Sequence, residues 1–348
     1  MPEVDVLAVV GTCAPERELY AERLAAVTDR TLFSARRLSV SADPVDEALA
    51  LVPWTDRPSG AVVEFPSDTR IVELIGAAAE PESTCALSGI VCVADAAHLI
   101  DDLRRDSYAA KRHTAPHGGP GSATTEFVAH ALLTVTQLEY ASMIVLVNWQ
   151  QLATPNLAAL MALVGNLSPH ARLRLDHGAL EPPTQSTTYS AAQERAGWIA
   201  ILNGDHDPYM TDRRVSSLHY EQVRPLHPER LERLLDDRID AGEFGTVIRS
   251  AGFCGLASRP GIIGEWDHVG HMFSLEPLGP EADAPESSEV LAVGQDLAFI
   301  GIDMDAEALR AALDEAALTD EELAAGPEAW VAYRDPFPAW VSASSHSE

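Results

Sequence analysis

Lysine is almost missing from this chain. Among 24 basic residues in 348, Lys111 is the single lysine and the other 23 are arginine. Any chemistry that needs a lysine therefore has one candidate. Basic charge as a whole is scarce, because 53 acidic residues set a formal charge of −29. That balance excludes a simple grip on the phosphate backbone of nucleic acid, which needs a basic face. It opposes adsorption to an anionic membrane. It favours basic protein partners or cations. Cysteine is scarce too. Cys13, Cys85, Cys92 and Cys254 include no pair two residues apart, so neither a zinc knuckle nor a dithiol motif is written here. The four read as reduced thiols in a cytoplasm. No run approaches the ~18 apolar residues of a membrane helix. The opening MPEVDVLAVV has no basic flank and a short apolar run, so no export leader is expected.

What the chain does have is 46% apolar residues, enough to bury a core in each of two domains. Val4 to Val10 is a short apolar run that ends at Gly11, and a helix is expected from Pro15 to Val27. Ala61 to Phe65, Gly89 to Ala94 and Met143 to Val147 read as buried strands, since both faces are apolar. Helices are expected over Ile71 to Ala79, Ala96 to Arg105, Glu126 to Tyr140 and Asn156 to Leu167, with a short strand at Arg172 to Leu175. His113 to Thr124 is rich in Gly and Pro and reads as a loop. This alternation predicts an α/β domain with a mostly parallel sheet, P-loop NTPase-like and Rossmann-like. Polar stretches over 178–190 and 203–214 suggest a linker region; between them, Ala191 to Leu202 suits a short helix or a strand. Strands near Ser217 to Val223, Thr246 to Leu256, Met272 to Glu276 and Asp296 to Ile302 follow. Helices are expected at Pro228 to Ile239 and Asp305 to Ala317, and Thr319 with Glu322 fits a capping box. The second half is expected to be α+β. The expected division is 1–205, 206–340 and a polar tail over 341–348.

The glycine turn after the first strand is where a phosphate-binding loop would sit. Such a loop needs glycines for close backbone approach, a lysine for the terminal phosphates and a hydroxyl for magnesium. This segment reads Gly11-Thr12-Cys13-Ala14-Pro15-Glu16-Arg17-Glu18. Only the first glycine is present, and Pro15 removes a backbone donor. Arg17 stands at the lysine position and Glu18 at the hydroxyl position. Glu16 and Glu18 would set carboxylates beside an anion.

Val223 to Leu231 (VRPLHPERL), Val247 to Pro260 (VIRSAGFCGLASRP), Gly264-Glu265-Trp266, Phe299 to Asp303 (FIGID) and Leu318 to Trp340, in this order, resemble the C-terminal domain of CobW-like proteins. These are metal-chaperone P-loop GTPases linked to zinc and cobalt handling. The resemblance covers the last third of the chain by motif and the first two thirds by segment order. It implies a GTP, magnesium and zinc chemistry whose motifs are altered here. The implied Cys-x-Cys-Cys metal motif is absent, since Leu32 to Trp54 contains no cysteine. The acidic switch segment appears as Glu64-Phe65-Pro66-Ser67, with Glu64 kept and the glycine lost. The guanine-reading Asn-Lys-x-Asp appears as Asn148-Trp149-Gln150-Gln151. Asn148 is kept, but Gln151 has one acceptor and one donor where the carboxylate would accept two hydrogen bonds. Gly11, Arg17, Glu18, Glu64, Asn148 and Gln151 are thus remnants of a nucleotide site. The expectation is a pseudo-GTPase with no cofactor. It would bind a protein partner, basic or ribosome-associated, in metal homeostasis; some relatives in this family are tied to zinc limitation and ribosome hibernation. The alternative is a divergent chaperone that delivers zinc or cobalt with GTP hydrolysis.

Other candidates are weaker. His268 and His271 have a spacing that can place two imidazoles on one metal, with Glu265 or Asp267 as a further donor; the plainer reading is solvent-facing histidines in a strand-edge loop. His113 and His117 with Asp101 and Asp102, and Asp205-His206-Asp207, are further possibilities. Cys13 near a helix start would have a lowered pKa, but no His or Lys stands in that segment, so it reads as structural. Cys254 reads as a buried apolar side chain.

Overall fold

The computed structural model describes residues 4–114, 123–178, 180, 189–190, 194–280 and 294–340, with side chains of 111–114, 123–126 and 279–280 left aside. The chain packs as two units, one of residues 1–197 with 207–212 and the other of 198–206 with 213–348.

The first unit begins with strand β1 (Val4–Val10) and helix α1 (Ala14–Thr28), followed by β2 (Thr31–Phe33), α2 (Ala35–Leu38), α3 (Pro44–Leu51), β3 (Ala61–Glu64) and α4 (Ile71–Ala79). Then come β4 (Cys85–Asp95), α5 (Leu99–Leu103), β5 (Tyr108–Thr114), β6 (Ala123–Ala129), α6 (His130–Glu139), β7 (Met143–Val147), α7 (Thr154–Leu167) and β8 (Arg172–Leu175). Six strands form one parallel sheet in the order β2-β3-β1-β4-β7-β8. The expected mostly parallel α/β architecture is present. Val6 to Val10, Ile90 to Ala94 and Met143 to Val147 are buried, as strands covered by helices on both faces must be. The chain leaves β1 toward β3 on one side and β4 on the other. A crevice therefore opens past the carboxyl ends of these strands, the usual place for a ligand in such sheets.

Among the described residues, strands β5 and β6 pair only with each other, in register from Tyr108↔Ala129 to Thr114↔Ala123. The helix expected from Glu126 therefore starts later, at His130, because Glu126–Ala129 is strand. Residues 115–122 of the expected loop lie outside the described residues, as do 179, 181–188, 281–293 and 341–348.

Of the undecided segment 191–202, Gly197–Leu202 is helix α8, and 191–193 lie outside the described residues. The second unit continues with β9 (Val215–Gln222), α9 (Pro228–Arg233), β10 (Thr246–Gly255), β11 (Ile262–Val269), β12 (Met272–Pro280), β13 (Gln295–Ile302), α10 (Ala306–Ala316), α11 (Asp320–Ala325) and α12 (Pro327–Trp330). Helix α9 widens into a π-helical turn over Leu234–Ile239. The strands form an antiparallel sheet in the order β12-β11-β10-β13-β9. Trp266, Phe299, Leu309 and Leu313 are fully buried in its core. Trp266 Nε1 donates to Ser250 Oγ at 2.8 Å, which satisfies a buried indole. The Thr319–Glu322 capping box is formed in both directions. Among the described residues no helix is long and apolar enough to cross a membrane.

Candidate functional site

Between β1 and α1 lie only three residues, Gly11, Thr12 and Cys13. Gly11 has φ +141°, and a Cβ there would sit 2.0 Å from the Val93 carbonyl oxygen. Its role is close packing of the turn on β4. Arg17, one turn into α1, points inward and is 3% exposed. Its Nε donates to Glu64 Oε1 at 3.0 Å, and its Nη1 donates to the Gly11 carbonyl. Glu64, also 3% exposed, ends β3, and its Oε2 accepts the Ala35 N–H at 3.0 Å. A buried guanidinium and a buried carboxylate thus tie α1, the β1 turn, β3 and α2 together. Neither charge is left for solvent.

The neighbouring residue of a helix lies 100° around the axis. Glu18 is therefore exposed when Arg17 is buried. Glu16 lies on the crevice side, and its Oε1 accepts from Asn148 Nδ2 at 3.3 Å. Asn148 has left-handed backbone, φ +55°, and the same Nδ2 donates to Asp95 Oδ2 at 2.8 Å. The retained asparagine therefore holds two carboxylates. Thr12 Oγ1 donates to Asp102 Oδ2 at 3.2 Å. Burial pushes the Asp95 pKa up, but hydrogen bonds from Asn148, the Ala97 N–H and His98 outweigh it and keep the carboxyl below its ordinary range. Gln151 is exposed on a short turn. Trp149 at the lysine position sends Nε1 to the Asp176 carbonyl at 2.9 Å and meets His177 edge-on at 4.9 Å.

Cys13 runs against the helix-end expectation. Its Sγ contacts the Val93 carbonyl at 3.1 Å, and its pKa is pushed up to about 12 by burial and by Glu16 and Asp95. Cys254 is fully buried, as expected, with its thiol pushed up to about 12 by burial.

Helix α2 is one element of the cysteine-free stretch from Leu32 to Trp54. It buries Ala35 and Leu38 and exposes Arg36 and Arg37. His268 lies on β11, not in a loop, and is 5% exposed. Its Nδ1 has no hydrogen-bond partner, and its pKa is pushed down to about 4 by burial, with Arg249 adding. His271 is in the turn that follows, with Nδ1 on the Asp240 carboxylate. Among the described residues no three His, Cys, Asp or Glu side chains converge to hold a metal. His117 lies outside them.

The structure thus brings Gly11, Arg17 and Glu64 into one cluster and sets Asn148 in a second with Glu16 and Asp95. Glu18 and Gln151 stand apart. Asp102, named from the sequence beside His113 and His117, meets Thr12 instead; Asp95 escapes the sequence reading, and its one signal is a carboxylate closing a fully apolar strand.

Residues 215–317 match the family described as the cobalamin synthesis protein cobW C-terminal domain. The chain is 27% identical over 227 residues to zinc-regulated GTPase metalloprotein activator 1 of Dictyostelium discoideum, covering 59% of this chain and 47% of that protein. It is 25% identical over 240 residues to a zinc chaperone of Mycobacterium tuberculosis, covering 62% and 56%. The chain spans about half the length of these curated relatives. A solved structure of the Zn(II)-bound YjiA GTPase from E. coli aligns over 91% of this chain and 100% of that one, with 12% identity and a TM-score of 0.38.

Proposed function

We propose that this protein is a CobW-like adaptor in metal homeostasis that works through protein contacts and does not turn over GTP. The observation that carries this reading is the buried Arg17–Glu64 pair. An arginine meant for phosphate has to present its guanidinium to the ligand. Here it is turned into the core and engaged by Glu64 and the Gly11 carbonyl. The residues present do not fit a triphosphate in other respects. A three-residue turn with Pro15 at the helix start offers few free backbone N–H groups. Glu16, Asp95 and Asp102 line the crevice with negative charge, which opposes an anion. They do not offer a soft metal a thiolate set either, because Leu32 to Trp54 contains no cysteine.

The −29 charge and the acidic crevice support a basic protein partner, a ribosome-associated one included, and not naked nucleic acid. The four cysteines are in no disulfide among the described residues, which suits a reducing cytoplasm. The names of the relatives favour a second reading, a divergent GTP-binding chaperone that delivers zinc or cobalt.

Titration with a fluorescent GTP analogue and magnesium, with and without zinc, separates the two. No saturable binding is expected in either form. Micromolar binding would restore the chaperone reading and require Arg17 to turn outward. Binding of naked RNA at physiological salt would count against the proposed kind of partner.

A further inference from the structure

Arg-Arg occurs three times in this chain, and each time a serine stands two residues further on: Arg36-Arg37-Leu38-Ser39, Arg104-Arg105-Asp106-Ser107 and Arg213-Arg214-Val215-Ser216. Two guanidinium groups just before a hydroxyl are a charge pattern that the acidic substrate groove of an arginine-directed kinase reads. Such a groove has to receive the backbone around the hydroxyl, so it needs an exposed connecting segment. In a chain of charge −29, each of these pairs is also a local exception that an acidic groove can approach.

The fold separates the three. Ser216 lies in β9 and is registered against Gly301 of β13, so strand pairing withholds it. Ser39 closes α2, and its Oγ donates to the Ala35 carbonyl at 2.8 Å. Leu38 beside it is fully buried, so that motif cannot be lifted out without unpacking a core side chain. Residues 104–107 instead form the connection from α5 to β5. Arg104, Arg105, Asp106 and Ser107 are all exposed, and Tyr108 after them is 53% exposed. Arg105 reaches Asp102 only at 3.6 Å, in a half-exposed pair that costs little to break. Ser107 also meets α6. Its Oγ shares a hydrogen bond with His130 Nδ1 at 3.0 Å, and its carbonyl accepts the His130 N–H at 3.0 Å.

We propose that Ser107 is a phosphorylation site for an arginine-directed serine kinase. Ser107 Oγ attacks the γ-phosphorus of ATP held by the kinase. The bond from that phosphorus to its bridging oxygen breaks, and ADP leaves with the electron pair. The hydroxyl proton passes to the carboxylate base of the kinase. The product carries a charge of about −1.5 to −2 at neutral pH. His130 Nδ1 then donates to a phosphate oxygen in a charge-assisted bond, and the exposed Arg104 and Arg105 add attraction. Asp106 opposes them, but it is exposed and screened. The foot of β5 is thereby held more firmly on the start of α6. Neither GTP binding nor its absence bears on this site.

The test incubates the full native chain with magnesium, ATP and the catalytic subunit of cAMP-dependent protein kinase as the arginine-directed probe. Mass spectrometry of the digest locates the phosphate. Each rate is divided by that of a synthetic peptide with the same motif, so that sequence preference cancels and accessibility remains. The ratio for Ser107 should exceed those for Ser39 and Ser216 at least about tenfold, because only those two need local unfolding. Replacing both arginines, Arg104→Ala with Arg105→Ala, should slow Ser107 labelling at least about tenfold. It should leave Ser39 labelling unchanged, which shows that the fold is intact. In the phosphorylated chain the His130 amide should exchange its hydrogen at least about threefold more slowly. No phosphate on Ser107, an equal ratio for Ser39 or Ser216, or indifference to the arginine replacements would each overturn the assignment. Unchanged exchange at His130 would overturn the firmer hold on α6.

Discussion

Two buried arginines, one in each unit, show how the surroundings decide what a buried charge does to its neighbour. Arg17 and Glu64 have side chains 4% and 3% exposed. Arg249 is equally buried, at 4%, but its carboxylate partner Asp267 is 29% exposed. The first pair is closed, and neither charge faces water. Arg17 pulls the pKa of the neighbouring Cys13 thiol down, but burial and the carboxylates Glu16 and Asp95 outweigh it. In the second pair part of the negative charge faces water, where it is screened. The positive end then acts on its neighbour, and Arg249 adds to burial in pushing the His268 pKa down. In both places the guanidinium acts on its neighbour; beside Arg17 burial and two carboxylates oppose it, whereas beside Arg249 burial acts in the same direction.

The largest effect should come from opening the closed pair. Arg17→Met leaves Glu64 buried and unpaired, and the expected loss is about 3–5 kcal/mol in urea unfolding. The double variant Arg17→Met with Glu64→Leu removes both charges. It should recover most of that loss but retain about 1–3 kcal/mol of it, because the Ala35 N–H loses its acceptor. Equal loss in the single and double variants would show that size, not charge, matters here, and the contrast with Arg249 would collapse.

A smaller effect belongs to His268. Its folded pKa of about 4 lies below the unfolded value near ~6.5. Between these values the unfolded chain binds more protons, so stability rises with pH. The contribution is complete above the unfolded pKa and is lost as pH falls toward 4, to a limit of about 3 kcal/mol. His227, pushed down by burial, titrates in the same direction. Carboxylates held below their ordinary range, such as Asp95 and Asp335, lose their contribution only at lower pH. Unfolding midpoints between pH 7 and 5 should therefore fall for the native chain and fall less for His268→Phe. Replacing Asp267 by Asn should steepen the fall, since Arg249 then acts on His268 uncancelled. An unchanged slope in both variants would deny His268 this role.

The sequence shows the parallel sheet well because strands buried on both faces are uninterrupted apolar runs, such as Met143 to Val147. The β5–β6 ribbon hides because Glu126-Phe127-Val128 runs without a break into the apolar face of α6. Strand β11 hides because Gly264 and the charged Glu265 and Asp267 break its pattern, although Trp266 and His268 face the core. Gly11, Glu64 and Asn148 are legible because they stand at strand ends, where such sheets keep their chemistry. Their partners are not. Arg17 meets Glu64 across 47 positions and Asn148 meets Asp95 across 53. Spacing cannot say whether a guanidinium turns toward a ligand or into the core; a carboxylate at the end of the adjacent strand decides it.

The smallest effect, and the most direct probe of how far Glu64 restrains Arg17, is the reactivity of Cys13. The start of α1 would normally favour a thiolate, and an uncancelled Arg17 would favour it further. A thiol held near pKa 12 is protonated at pH 8, so alkylation by iodoacetamide should run at least roughly a hundredfold slower than for free cysteine. Glu64→Gln keeps the shape of the pair but removes its negative charge, and the guanidinium should then lower the thiol pKa and speed alkylation. Mass spectrometry of the Cys13 peptide reads both rates, and a melt of the same sample shows whether the variant is folded. A folded Glu64→Gln protein with unchanged Cys13 reactivity would mean that burial alone controls the thiol. A native Cys13 reacting like free cysteine would mean that the pair is open, and Arg17 would again be available to a ligand.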